Sequence, residues 1–167
     1  MVMASAQPDP LVSAVRAVLD EVYDPEIPIL TIADLGVLRD VRVEAGRVTV
    51  VITPTYSACP AMHAIAQDIR SALDAAGYRE VQIETQLAPA WSTDQLSVAA
   101  HAKLRAVGIA PPAHGSTDKR ALRGQDLLCP RCASHQTELV SEFGSTACKA
   151  LYRCRSCLEP FDYFKCL

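Results

Sequence analysis

Seven cysteines carry most of the chemistry that this sequence of 167 residues can offer, and six of them crowd into the last 39 positions. Cys129-Pro130-Arg131-Cys132 and Cys154-Arg155-Ser156-Cys157 are two C-x-x-C pairs with 21 residues between them. Each pair can fold back at a tight turn so that both sulfurs face one point, and two such turns complete a tetrahedron for Zn²⁺. Four thiolates leave no position open for water, so the expected zinc is structural rather than catalytic. Iron can occupy the same tetrahedron. A redox dithiol is a second reading of either pair, disfavoured by the presence of both. Cys148 and Cys166 remain. Either could replace one of the four, the two could bind something else together, or both are packed, inert thiols.

The seventh cysteine stands alone in Thr53-Pro54-Thr55-Tyr56-Ser57-Ala58-Cys59-Pro60, where an apolar strand runs out and a helix begins. Pro60 suits a first helical position, because its missing N–H would be unpaired there anyway. Cys59 then lies at or beside the N-cap, where free N–H groups and the helix dipole favour a thiolate. The expectation is a poised thiolate; the commoner fate of a free cysteine is a small buried hydrophobe.

Positioning these groups takes two units. Half of the chain is hydrophobic, enough for one domain with a proper core and a smaller second one. A net charge of -3 and a pI near 5.8 give no general attraction for polyphosphate, so nucleic acid is not an expected partner. The N-terminus has no cationic segment followed by an apolar run, and no stretch has the length of a membrane span. A soluble, cytoplasmic protein without membrane contact is expected. Cysteines in a reducing compartment argue for metal rather than disulfides.

Leu11, Val15, Val18, Leu19 and Val22 fall at helical spacing over residues 9–22, with Asp9-Pro10 as cap and first turn. Asp24-Pro25-Glu26-Ile27-Pro28 must be a rigid loop, and Asp34-Leu35-Gly36 a short turn. Val41 and Val43, a turn at Ala45-Gly46, and residues 47–53 read as an antiparallel hairpin. From Pro60, a helix carries Met62, Ile65, Ile69, Ala72, Leu73 and Ala76 on one face and stops at Gly77. Residues 81–85 alternate as a third strand running on through Leu87 to Trp91. Ser92 or Thr93 then caps a helix with Leu96, Ala99, Ala100, Lys103, Leu104 and Val107 inside. The expected fold is α+β: a small two-layer domain over 9–112 with a mainly antiparallel sheet covered by helices, a polar linker over 113–126, and a zinc ribbon over 127–167. So short a ribbon needs its metal to fold. Tyr152, Phe161, Tyr163 and Phe164 are its expected core, and Arg131, Arg153 and Arg155 are placed to offset the charge of the thiolates.

The 24–28 loop, the Asp34-Leu35-Gly36 turn and the 53–60 stretch resemble the small domain of iron-sulfur cluster assembly factors. The tail is more specific: Ser141-Glu142-Phe143-Gly144-Ser145-Thr146-Ala147-Cys148-Lys149-Ala150-Leu151-Tyr152-Arg153-Cys154, continuing through Glu159-Pro160-Phe161-Asp162-Tyr163-Phe164-Lys165-Cys166, is similar to the PaaD (PaaJ) family. That family is encoded with the multicomponent phenylacetyl-CoA epoxidase of aerobic phenylacetate catabolism. The resemblance implies no catalysis by the chain itself. It implies an accessory role in assembling or inserting the oxygenase's iron-sulfur cluster or di-iron centre, with the oxygenase subunits as partners, above all the iron-sulfur reductase subunit. Cys59 is the implied ligand for iron or a transient cluster, and Asp24, Glu26, Asp34 and Thr53 match the other motif positions.

A lone thiolate is a weak site. A second ligand is expected from another protomer of a homodimer, from the client, or from Asp34 or Glu26, while Asp24 and Glu26 read more simply as turn formers between prolines. His63, four residues after Cys59, is a further candidate that reads more simply as an ordinary surface histidine. The alternative functions are an adaptor that stabilises the oxygenase without handling iron, and a thiol enzyme, which would need a general base that only His63 offers locally.

Overall fold

The computed structural model describes residues 9–56, 58–112 and 127–165. Helix α1 spans Pro10–Leu19, and Asp9 caps it by accepting from the Leu11 N–H at 2.9 Å. The proline at the first position fits, since no helical partner exists for an N–H there. Val15 and Leu19 bury the inner stripe.

Strands β1 (Leu38–Glu44) and β2 (Arg47–Ile52) form the expected antiparallel hairpin, with Val41 opposite Val50 and Val43 opposite Val48. The two turn residues, Ala45 and Gly46, both have positive φ, 50° and 83°. That backbone matches the twist of the flanking strands. Helix α2 (Ala61–Ala75) buries Ala61, Ile65, Ile69 and Leu73. It ends in a Schellman motif: the Tyr78 N–H reaches the Leu73 carbonyl and the Gly77 N–H that of Asp74. The helix is a crossover, so β3 (Val81–Thr85) returns parallel to β2 rather than antiparallel. The first sheet has the order β1-β2-β3.

Two expectations on the next stretch are corrected. Strand β3 stops at Thr85, and the chain folds back through a cis Ala88–Pro89 peptide to bury Trp91, whose Nε1–H donates to the Leu35 carbonyl at 2.8 Å. The helix expected from Ser92 or Thr93 is a 3-10 turn, Thr93–Gln95, followed by a break and then helix α3 (Val98–Ala106). Leu96 turns extended, which buries its side chain, and the Ser97 hydroxyl accepts from the Ala100 N–H at 2.9 Å. Ser97 is therefore the cap. Ala100, His101 and Leu104 are buried along α3, whereas Val107 is exposed.

Strand β4 (Ile109–Ala110) leaves the first layer and pairs in parallel with β7 (Pro160–Phe164). Strands β5 (Thr137–Ser141), β6 (Lys149–Cys154) and β7 make an antiparallel meander, and the second sheet has the order β4-β7-β6-β5. Tyr152 stacks on Phe161 at 6.0 Å and meets Tyr163 edge-on at 5.8 Å. The ribbon's small core is thus the expected aromatic cluster with one exception. Phe164 sits with Cys148 in the larger core and packs edge-on against Trp91 at 6.2 Å. Side chains alternate along a strand, so Phe161 and Tyr163 face one way and Phe164 the other. This alternation fastens the ribbon to the α+β layer. The linker expected over 113–126 lies outside the described residues, and no described helix is long and apolar enough to cross a membrane.

Candidate functional site

The four ribbon thiols converge. The sulfurs of Cys129, Cys132, Cys154 and Cys157 lie within 4.8 Å of one another, with Cys129 and Cys157 at 3.8 Å and Cys132 and Cys154 at 3.5 Å. A tetrahedron of bonds of about 2.3 Å sets its ligand sulfurs about 3.8 Å apart, so the group fits a structural metal without rearrangement. Each pair sits on a tight turn that left-handed backbone closes, Ala133 with φ 59° and Leu158 with φ 67°. The N–H groups of Cys157 and Ser156 hold the Cys154 thiol down to about 6, while the Cys132 thiol, despite the Ser134 N–H, is pushed up to about 12 by desolvation and by hydrogen bonds to Cys154, Cys157 and Cys129. Arg153 and Arg155, expected to offset the thiolates, are paired instead with Glu138, at 2.5 and 3.6 Å.

Cys59 stands beside the N-cap, as expected, although Pro60 is the cap itself rather than the first helical residue. Pro60, with helical φ and ψ, is the N-cap of α2, and Cys59 precedes it with its carbonyl accepting from the Met62 N–H at 3.4 Å. The Ala61 N–H points at its sulfur, as a helix N-terminus should. That favourable contact is outweighed. Burial pushes the Cys59 thiol above its ordinary value, and the carboxylates of Glu26 and Asp24 add to the rise against the help of Ala61 and Thr55. The expected poised thiolate is therefore corrected: Cys59 is a half-buried thiol whose surroundings disfavour the thiolate. Its neighbour Tyr56 is pushed up to about 12, by burial first and then by Cys59, Glu26 and Cys148.

The thiol of Cys59 lines a small recess with Asp24, Glu26 and Cys148, walled by apolar side chains such as Met62 and Phe164. Asp24 is buried and holds the loop: its Oδ1 accepts from the N–H groups of Glu26 and Ile27, both at 2.8 Å. Burial nonetheless raises its carboxyl above the ordinary range. Glu26 Oε2 lies 3.7 Å from the Cys148 sulfur. Cys148 is buried, its thiol pushed up to about 11 by that burial and by Glu26, with the Thr146 hydroxyl at 3.1 Å working the other way.

Asp34 is placed apart from this recess. Its carboxylate accepts from Lys103 Nζ at 2.5 Å, Ser97 Oγ at 2.9 Å and the Thr31 N–H at 3.2 Å, tying α3 to the loop before β1. Burial opposes the charge, but Lys103, Thr31 and Ser97 together hold the carboxyl below its usual range. Lys103 accordingly points to a carboxylate rather than into an apolar stripe. Thr53 is buried, and its hydroxyl has no hydrogen-bond partner among the described residues. His63 is exposed and does not line the recess. Cys166 lies outside the described residues. The sequence leaves Cys148 as a substitute ribbon ligand, a partner of Cys166 in binding something else, or a packed, inert thiol; no local pattern announces that it shares a recess with Cys59.

Residues 113–165 match the model of the PaaD zinc beta ribbon domain, and residues 13–85 match that of iron-sulfur cluster assembly proteins. Over 158 residues, 95% of this chain and 94% of the other, the sequence is 51% identical to an Escherichia coli protein named as a putative subunit of 1,2-phenylacetyl-CoA epoxidase. The chain belongs to the PaaD family. The resemblance carried by the tail and the two loops is thereby borne out.

Two further likenesses of this PaaD-family chain are partial. It is 41% identical over 81 residues to an Fe-S protein maturation auxiliary factor of Porphyromonas gingivalis, covering 47% of this chain and 76% of that one. A crystal structure of the domain of unknown function DUF59 from Bacillus anthracis superposes with a TM-score of 0.52 at 26% identity, over 56% of this chain and 90% of the other. The α+β layer of the PaaD-family chain is thus of a kind seen as a separate protein.

Proposed function

We propose that the chain is a non-catalytic accessory factor in phenylacetate catabolism that helps assemble or insert the iron-sulfur cluster, or the di-iron centre, of a multicomponent phenylacetyl-CoA epoxidase. Cys59 is the residue at which iron or a cluster is held in transit. The observation that carries this reading is the Cys59 thiol in a recess shared with the carboxylates of Asp24 and Glu26. A divalent cation there relieves the electrostatic penalty that those carboxylates impose on a thiolate. The name of the Escherichia coli relative supports epoxidase subunits as partners, and that of the Porphyromonas gingivalis relative supports a maturation role; the client of this reading is the iron-sulfur reductase subunit. The ribbon holds a structural zinc through Cys129, Cys132, Cys154 and Cys157. The six described cysteines are all unpaired, which suits work in a reducing cytoplasm.

A nucleophilic enzyme is less well supported. A reacting thiol needs a general base beside it, whereas His63 is exposed and outside the recess, and burial with the Glu26 and Asp24 carboxylates raises the Cys59 thiol. The test is the iron and sulfide content of the reductase subunit isolated from cells that carry the chain, lack it, or carry Cys59→Ala. Loading that falls in the second and third cases alike supports iron handling at Cys59. Full loading and full epoxidase activity with Cys59→Ala would leave the chain as an adaptor.

A further inference from the structure

The recess is made by both parts of the molecule. Cys59 and the carboxylates come from the α+β layer, while Cys148 comes from the turn that leads into β6 of the ribbon. Resting on the reading that Cys59 receives iron, we propose that Cys148, Cys59 and Glu26 form one site for a single iron(II) ion, with two thiolates and one carboxylate supplied by the same chain.

The donor chemistry fits. Thiolates are soft and a carboxylate is hard, a combination that suits a borderline divalent cation rather than magnesium or calcium, which take oxygen alone. On binding, each thiol loses its proton to solvent and two sulfur–iron bonds form, with no change of oxidation state. Two thiolates, one carboxylate and the divalent ion sum to a charge of about -1. Lys149 lies next to Cys148 in the chain, and its positive charge acts on both Cys148 and Asp24. The Asp24 carboxylate in the same recess adds one further negative charge, and Lys165, which also interacts electrostatically with Cys148, helps Lys149 to offset the total.

Size and looseness set the kind of site. The cavity volume is about 10 Å³, room for one water-sized body, so an ion fits and a multi-iron cluster requires the ribbon to draw back. Among the described residues, only the ribbon thiols have all their ligand atoms within 4.8 Å of one another. Cys59, Cys148 and Glu26 are gathered less tightly, with Cys148 and Glu26 at 3.7 Å. A preformed tetrahedron keeps its metal; a looser set drawn from two layers can close on an ion and release it when the layers separate. The second ligand that a lone thiolate needs thus comes from within the chain, without a second protomer.

The probe is cobalt(II), added without oxygen to the full chain already loaded with zinc, and read by thiolate-to-cobalt charge-transfer absorption, by X-ray absorption at the cobalt edge and by zinc content. The wild type should take up one cobalt with two sulfur ligands while its zinc stays in place. Cys148→Ser and Glu26→Gln should each weaken binding by about tenfold or more, and Cys148→Ser should lose part of the charge-transfer intensity. A cobalt centre with one sulfur in the wild type overturns the inference without calling on any variant to fold. So does Cys148→Ser binding as tightly as wild type while Cys59→Ala binds none, an outcome that leaves the role of Cys59 standing. Unchanged binding by Cys59→Ala overturns both. Four sulfurs with zinc released place the cobalt in the ribbon and also count against the site.

Discussion

Glu26 Oε2 and the Cys148 sulfur lie 3.7 Å apart although 122 residues separate them in sequence. The first belongs to a proline-bounded loop of the α+β layer and the second to the turn before β6. Strand β6 ends at Cys154, a ribbon thiol, six residues after Cys148. At about 3.3 Å per residue those six positions span at most about 20 Å. A metal held at the Cys154 end of β6 would therefore help to decide where the recess thiol stands at the other.

Removing ribbon ligands should show that dependence. Cys129→Ser and Cys154→Ser are each expected to lower zinc from near one per chain to near zero, because a site of this kind is inseparable from folding of its unit. Amide exchange should then quicken through β5, β6 and β7 while α2 keeps its protection. Slow exchange in a zinc-free ribbon would show that the aromatic core around Tyr152 suffices alone.

Asp34 should make stability depend on acid. Its folded value lies below the ordinary 3.8, so its contribution is complete above that value and is lost as pH falls through the folded value. Asp34→Asn should cost about 1–3 kcal/mol near neutral pH by loosening Lys103, Thr31 and Ser97, and should flatten the loss of stability below about pH 4. Urea unfolding of both proteins at several pH values is the measurement. Parallel curves for the two proteins would remove Asp34 from this role.

Asp24 separates turn-making from metal binding. One carboxylate oxygen accepts from both the Glu26 and Ile27 N–H groups. Asp24→Ala should cost about 1–3 kcal/mol in thermal unfolding, whereas Asp24→Asn keeps an acceptor oxygen and should cost less. If Asp24→Asn instead abolishes cobalt uptake with stability intact, Asp24 is itself a ligand.

Gly36 has a steric task in the Asp34-Leu35-Gly36 turn. Its φ is +67°, and a Cβ there would lie 2.6 Å from the Gln95 carbonyl oxygen. Gly36→Ala should destabilise the protein by at least about 1–3 kcal/mol, since left-handed strain and the clash with backbone add. Gly46, with nothing within 4 Å of such a Cβ, provides the control: Gly46→Ala meets strain alone and should cost less in the same thermal unfolding measurement.

What the sequence made legible was local. The cap at Asp9, the hairpin around Ala45-Gly46, the stop at Gly77 and the two C-x-x-C turns depend on residues a few positions apart, and each is where spacing placed it. The break before α3 was hidden because helix periodicity does not register a serine whose hydroxyl competes for the backbone. The parallel return of β3 follows from the whole crossover, and the partnership of Lys103 with Asp34 spans 69 residues. The rise of the Cys59 thiol is hidden from the sequence for the same reason. A helix N-terminus is visible in sequence, but burial and the carboxylates of Glu26 and Asp24 arrive only with the fold. Cys148 in the recess is the largest omission, since its place depends on the ribbon lying against the α+β layer.

Iron handling at Cys59 is tested most directly by the metal and acid-labile sulfide content of protein purified without oxygen, wild type beside Cys59→Ala. Zinc near one per chain is expected in both, with iron bound by the wild type after incubation with iron(II) and lost from Cys59→Ala. Equal iron in the two proteins, or none in the wild type under the same loading, would contradict that role.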